Sequence, residues 1–256
     1  MLALLLVAGA IYAWRFAVAR SDGVNVSVWR AVSFAAGLLV IAAALLSPID
    51  YLAEHRLFSV HMVQHLMLVD VASILLLLGL NRAIMRPAVR RLQPVERRLG
   101  WVAHPATALV ALVAVLWAWH VPALYDLALR HAWAHSLEHL TFMTAGLAFW
   151  WYLIEPVPAR HRLSGPGSVA YIGAAKMLLG VLGVALAFAT TVWYSPYEHV
   201  PRAWGLSPLT DQNIGGVLMM IEQSVVLIVF FAIMFIRMLE RSEQAQQREE
   251  RYGAAP

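Results

Sequence analysis

Long, predominantly apolar runs constrain this chain more than any other feature in it. A helix needs about 20 predominantly apolar residues to cross the hydrocarbon core of a bilayer, and seven stretches answer to that: residues 2–19, 26–47, 58–80, 103–120, 132–154, 168–192 and 214–237. Inside a bilayer each backbone N–H and C=O must be satisfied within the protein, so such runs become helices. The expected fold is an all-α integral membrane protein, a seven-transmembrane-helix bundle over residues 1–239 with a polar, frayed helical tail over 240–256. Composition agrees: 61% of the residues are hydrophobic and only 13% charged, against about 25% charged in a globular average. The first run lacks the basic flank of a secretory signal, since Arg15 and Arg20 follow it. It reads as a retained span, with a cleaved leader as the alternative.

Lys and Arg counts in the loops orient the bundle. Arg15, Arg20, Arg30, the six arginines from Arg82 to Arg98, Arg160, Arg162, Arg237, Arg241, Arg248 and Arg251 fall on one side; Arg56, Arg130 and Arg202 fall on the other. This predicts an N-terminus outside and a C-terminus in the cytoplasm. Five arginines among periodic apolar residues over 85–100 suggest an amphipathic helix on the surface between spans three and four. The net charge of +4 therefore reflects membrane topology and lipid contact, not a nucleic-acid partner. No glycine-rich phosphate loop, nucleophile elbow or basic groove with interleaved aromatics is present. Cysteine is absent, which removes disulfides, thiolate metal sites and cysteine nucleophiles.

With that topology, polar residues can be placed in depth at about 1.5 Å of rise per residue. His61 and His65 enter span three from outside, His120 closes the outer end of span four, and span five brings in His131, His135, Glu138 and His139. Met219, Met220 and Glu222 enter from the outer end of span seven. All lie within roughly 12 Å of the outer surface by this measure. Asp70 and Lys176 reach a common depth from opposite faces, roughly 18 Å from the outer and roughly 12 Å from the inner side of a core about 30 Å thick. An unpaired charge there is costly, so they are expected to form a buried ion pair. By helical angle Asp70 faces away from His61 and stands apart from the histidine layer.

His61 with His65, and His135 with His139, are H-x3-H pairs, which put two imidazoles on one helix face. Two such helices can offer four nitrogens to one ion. Imidazole suits copper, zinc and iron, while thioethers such as Met62, Met67, Met219 and Met220 favour Cu(I), so copper ranks first and zinc second. Two other chemistries stay open. His135-Ser-Leu-Glu-His139 matches H-x-x-E-H, in which two histidines hold zinc and the glutamate is general base of a metallopeptidase; Glu222 would then be a third ligand. One histidine from each of two spans could instead bind haem b axially.

Phe58-Ser-Val-His-Met-Val-Gln-His-Leu-Met-Leu68, Trp119-His-Val-Pro-Ala-Leu-Tyr-Asp126, His135-Ser-Leu-Glu-His139, Phe149-Trp-Trp151 and Trp204-Gly-Leu-Ser-Pro-Leu-Thr-Asp-Gln212 together resemble the CtaG-type cytochrome c oxidase assembly factors. These are bacterial multi-span membrane proteins associated with maturing copper-containing haem–copper oxidases. The resemblance spans about residues 58–223 and reaches His61, His65, His120, Asp126, His135, Glu138, His139 and Asp211. It implies a multi-pass protein of the bacterial inner membrane, a copper-handling chaperone and not an enzyme, with oxidase subunits or other copper chaperones as partners; homo-oligomerisation is left open. Family members often carry prolines where this chain reads Asp70-Val-Ala-Ser-Ile74 and a Met-Trp pair where it has Met219-Met220. The roles of Asp70 and Glu222 therefore rest on depth alone. The expected ligands are His61, His65, His135 and His139. Glu138 is expected to orient a ligand imidazole, Asp126 and Glu222 to support the site, His120, His131 and His199 to pass the ion inward, and Met219 and Met220 to tune it toward Cu(I).

Overall fold

Prolines divide the apolar chain into its helices. The computed structural model describes residues 1–89, 91, 98, 100–157, 161–163, 165–201 and 203–253, and among them all regular structure is helical. In chain order these are α1 (Leu2–Ser21), α2 (Val28–Leu46), α3 (Pro48–His55), α4 (Phe58–Leu66), a π-helical segment (Met67–Ala72), α5 (Ser73–Gly79), α6 (Pro105–Trp119), α7 (Pro122–Arg130), α8 (Ala132–Ile154), α9 (Pro166–Ala187) and α10 (Pro208–Gly253). Proline occupies the first turn of α3, α6, α7 and α9, where its missing N–H has no intrahelical acceptor to lose. Short 3₁₀ turns at Gly100–Ala103 and Ser195–Tyr197 complete the description.

Among the described residues, five helical runs are long and apolar enough to cross a membrane: Leu2–Ser21, Val28–Leu46, Phe58–Gly79, Pro166–Ala187 and Pro208–Ile236. They mark a membrane protein. A sixth span results if α6 and α7 are counted as one, but they meet at 73°. The bend lies just past residue 120, where the expected fourth span ends, and its cause is local. Pro122 forces Val121 into an extended conformation (φ −65°, ψ 126°), so α6 stops after 15 residues and a new helix starts. The expected fifth span coincides with α8, whose 23 residues reach about 34 Å. Its histidines and Glu138 keep it out of the apolar set. Residues 240–253 continue α10 as helix, and residues 254–256 lie outside the described set. Of the amphipathic stretch expected over 85–100, residues 86–89 are helical; residues 90, 92–97 and 99 lie outside the described set.

The π-helical segment interrupts the third span just after His65 and contains Asp70. Such wide turns are frequent at functional sites. Against it lies Gly146 of α8, close enough that a Cβ there would come within 3.0 Å of Val69 Cα. In lipid, helices associate through close packing and polar contacts, not through exclusion of water. Gly146 thus lets α8 press directly on the backbone of the third span and sets the distance between the two histidine-bearing helices. Tyr12 donates to the Gly79 carbonyl at 2.9 Å and Ser33 to that of Leu75 at 2.8 Å, fixing α1 and α2 on α5. Leu112, Phe142, Phe149, Ile172 and Leu179 fill the centre between α6, α8 and α9.

Candidate metal centre

Asp211 of α10 organises the start of α4. Its Oδ2 accepts from the Phe58 N–H at 2.6 Å and its Oδ1 from the Ser59 N–H at 3.2 Å. A carboxylate there satisfies two orphan donors and sits at the positive end of the helix dipole. One turn later His61 and His65 project together, with ring centroids 4.3 Å apart. On α8, His135 and His139 do the same at 4.1 Å. The two pairs interlock edge to face: His61 lies 5.3 Å from His135 and 6.2 Å from His139, and His65 lies 5.5 Å from His139.

One potential ligand atom from each of His61, His135, Glu138 and His139 lies within 4.8 Å of all the others, and all four residues are buried. Two bonds of about 2.0–2.1 Å on a tetrahedral ion place their donors about 3.3–3.4 Å apart, so closure on an ion needs only a small contraction. His61 Nε2, His135 Nε2, His139 Nε2 and both Glu138 oxygens have no hydrogen-bond partner. Burying so many lone pairs unpaired costs energy for each of them. A cation at their centre removes that cost, and three imidazoles with a carboxylate suit copper or zinc. Glu138 thus joins the three histidines in one ring of candidate donor atoms. His65 stands beside the ring, its Nε2 3.6 Å from Glu138 Oε1.

The outer nitrogens fix which lone pairs face the centre. Glu54 Oε1 is bonded to His135 Nδ1; since a carboxylate accepts, Nδ1 carries the proton and Nε2 keeps its lone pair. This bond holds the Glu54 carboxyl below its ordinary range despite burial, which acts the other way. Tyr197 gives its hydroxyl proton to the Ala53 carbonyl at 2.6 Å, and so accepts from His61 Nδ1 at 3.0 Å. Tyr125 lies 3.0 Å from the same nitrogen. Orientation of metal-binding imidazoles through the far nitrogen is the usual device for holding tautomer and ring angle.

The cytochrome c oxidase caa3 assembly factor family model (Caa3_CtaG) matches residues 10–241. The chain belongs to this family. Uncharacterised proteins of Mycobacterium bovis and Mycobacterium tuberculosis are each 26% identical to this chain over 257 residues, covering 94% of the chain and 39% of their own length. One of Mycobacterium leprae is 24% identical over 263 residues, covering 97% and 40% respectively. The chain thus spans about two-fifths of the curated relatives it matches. No solved structure matches it.

Other residues singled out in the sequence lie apart from the donor ring. His131 and His199 are exposed. Asp126 accepts from Ser195 Oγ at 3.0 Å and lies 3.9 Å from Arg130, tying α7 to the loop that carries Tyr197. Met219 is buried with Phe58 and Met62, and Met220 lies beside Gly183. Glu222, expected to support the histidines, instead lies 2.9 Å from Lys176 Nζ. It therefore joins the group of Asp70 and not that of the histidines. Lys176 Nζ is also 3.2 Å from Asp70 Oδ2, and Trp150 Nε1 donates to Asp70 Oδ1 at 2.7 Å. The sequence reading missed Glu54, Tyr125 and Tyr197. Of these only Tyr125 carried a signal, as part of the Trp119 to Asp126 motif.

Proposed function

We propose that this assembly factor holds copper as cargo at His61, His135, Glu138 and His139 and releases it toward a maturing cytochrome c oxidase. The observation that carries the reading is the convergence of four buried ligand atoms within 4.8 Å, with their inward lone pairs unpartnered. Family membership supplies the oxidase context. The work done is ligand exchange with oxidase subunits or other copper chaperones, and no turnover chemistry is needed. The six-span reading becomes seven with α8 as the fifth crossing, in the bacterial inner membrane, N-terminus outside and C-terminus in the cytoplasm; the donor ring then lies toward the outer side. Gln64, between the two histidines of α4, bonds the Ala44 carbonyl at 2.9 Å and Asp50 at 2.7 Å, so it anchors the helix and leaves the ion to its neighbours.

The other chemistries have less behind them. A peptidase base must meet water and a substrate bond, yet both Glu138 oxygens are buried among imidazoles. Haem needs a slot for its macrocycle between the axial ligands, and the two histidine pairs interlock at 5.3–6.2 Å. Metal analysis of the purified chain beside its absorption spectrum separates the three. Bound copper that is lost in His61→Ala and His135→Ala supports the proposal. A Soret band, zinc with peptide cleavage abolished by Glu138→Gln, or no metal after growth in copper would overturn it.

A further inference from the structure

His120 lies outside the donor ring but is buried, and its hydrogen bonds define its tautomer. Its Nδ1 is 2.7 Å from the Leu116 carbonyl, which only accepts, so Nδ1 carries the proton. In the neutral ring Nε2 is then a bare lone pair. It points at the Met62 thioether sulfur, 3.4 Å away, and a thioether is also only an acceptor. Two acceptors thus face each other with no donor between them. That separation fits two donors on one ion: bonds of about 2.0 Å to nitrogen and about 2.3 Å to sulfur at a tetrahedral angle put N and S about 3.5 Å apart.

A third donor is at hand. His65 has neither ring nitrogen hydrogen-bonded, and its ring centroid is 6.2 Å from that of His120. Met62, His65, His120 and Met219 line a common cavity of about 20 Å³, room for one water-sized occupant. We propose that Met62, His120 and His65 form a second, soft-ligand site for a monovalent ion of Cu(I) type, adjoining the ring of His61, His135, Glu138 and His139. A thioether selects Cu(I) over zinc or Cu(II), whereas the carboxylate-bearing ring suits the harder ions. His65 borders both sites, 3.6 Å from Glu138, and offers a lone pair to an ion leaving either one. Copper passes between them as Cu(I) by exchange of ligands, without change of oxidation state.

The inference deepens the copper-cargo reading and rests on it for the choice of ion, so its test uses probes that separate the two sites. The full chain in nanodiscs is titrated with Ag(I), a redox-silent stand-in for Cu(I), and separately with Zn(II), and the silver form is examined by X-ray absorption. Wild type is expected to take up about two Ag(I) and about one Zn(II), with sulfur in the silver shell. Met62→Leu, which conserves volume, is expected to lose the sulfur shell and one Ag(I) while keeping its Zn(II); His120→Gln repeats the loss from the nitrogen side. Retention of both Ag(I) in Met62→Leu, or a wild-type silver shell without sulfur, would overturn the second site. Loss of Zn(II) in His135→Ala with the sulfur-bound Ag(I) retained supports two separable sites, whereas a wild type that binds no Zn(II) but keeps sulfur-bound Ag(I) refutes the donor ring alone.

Discussion

Glu54 takes the Nδ1 hydrogen of His135 in a side-chain bond between α3 and α8. α3 is too short to cross a membrane, yet through this bond it sets the tautomer of a ring in the candidate centre. Glu54→Ala should weaken copper binding by about 10–100-fold, the usual effect of losing a partner behind a ligand histidine. Glu54→Gln keeps an acceptor and should retain most of the affinity. Competition titration with a copper chelator would show the order; equal affinity in wild type and Glu54→Ala would contradict it.

Tyr197 plays the same part for His61. Tyr197→Phe removes one of the two hydroxyls beside Nδ1, leaving Tyr125 alone to hold the ring. We expect weaker copper binding, by about tenfold, with little loss of thermal stability because the aromatic body remains. A fall in stability with unchanged affinity would make Tyr197 a packing residue only.

Lys176 shares its single positive charge between two carboxyl groups, Asp70 and Glu222. Removing one partner of a buried ion group costs about 3–5 kcal/mol because the rest stays charged and unpaired. Lys176→Met should therefore lower the unfolding temperature in detergent sharply, and Lys176→Met combined with Asp70→Asn should recover part of the loss. Losses that simply add would show that the charges are independent.

Gly146 separates α8 from the backbone of the third span by less than a side chain's width. Gly146→Ala should destabilise by about 1–3 kcal/mol, the ordinary cost of overpacking, and weaken copper binding by moving one histidine pair away from the other. Gly180, with open space where a Cβ would sit, provides the control: Gly180→Ala should leave both properties unchanged. Thermal melts and copper titrations of the two variants check this.

The histidine pairs were legible in the sequence because the four-residue spacing of His61 with His65 and of His135 with His139 is a property of the helix itself. Their meeting across two helices followed only from depth, and depth is where the reading was weakest. It placed Glu222 with the histidines, whereas the carboxyl group meets Lys176 in the group of Asp70. The place of Glu138 depends on how closely α8 approaches α4, which Gly146 decides and no spacing reports. Glu54 and Tyr197 lie on short or irregular segments without periodicity, so nothing local linked them to His135 and His61. The fourth run was read to end at His120, one residue past the end of its helix at Trp119, and Pro122 opens the next helix at a sharp angle.

The central claim is that His61, His135, Glu138 and His139 bind copper, and electron paramagnetic resonance of the chain loaded with one equivalent of Cu(II) tests it most directly. Cu(II) probes the nitrogen and oxygen donor set without engaging a thioether site. The account predicts a single Cu(II) species with superhyperfine structure from imidazole nitrogens, lost when His135 and His139 are both replaced by alanine. A spectrum of heterogeneous, weakly bound Cu(II) that is the same in wild type and in that double variant would contradict it.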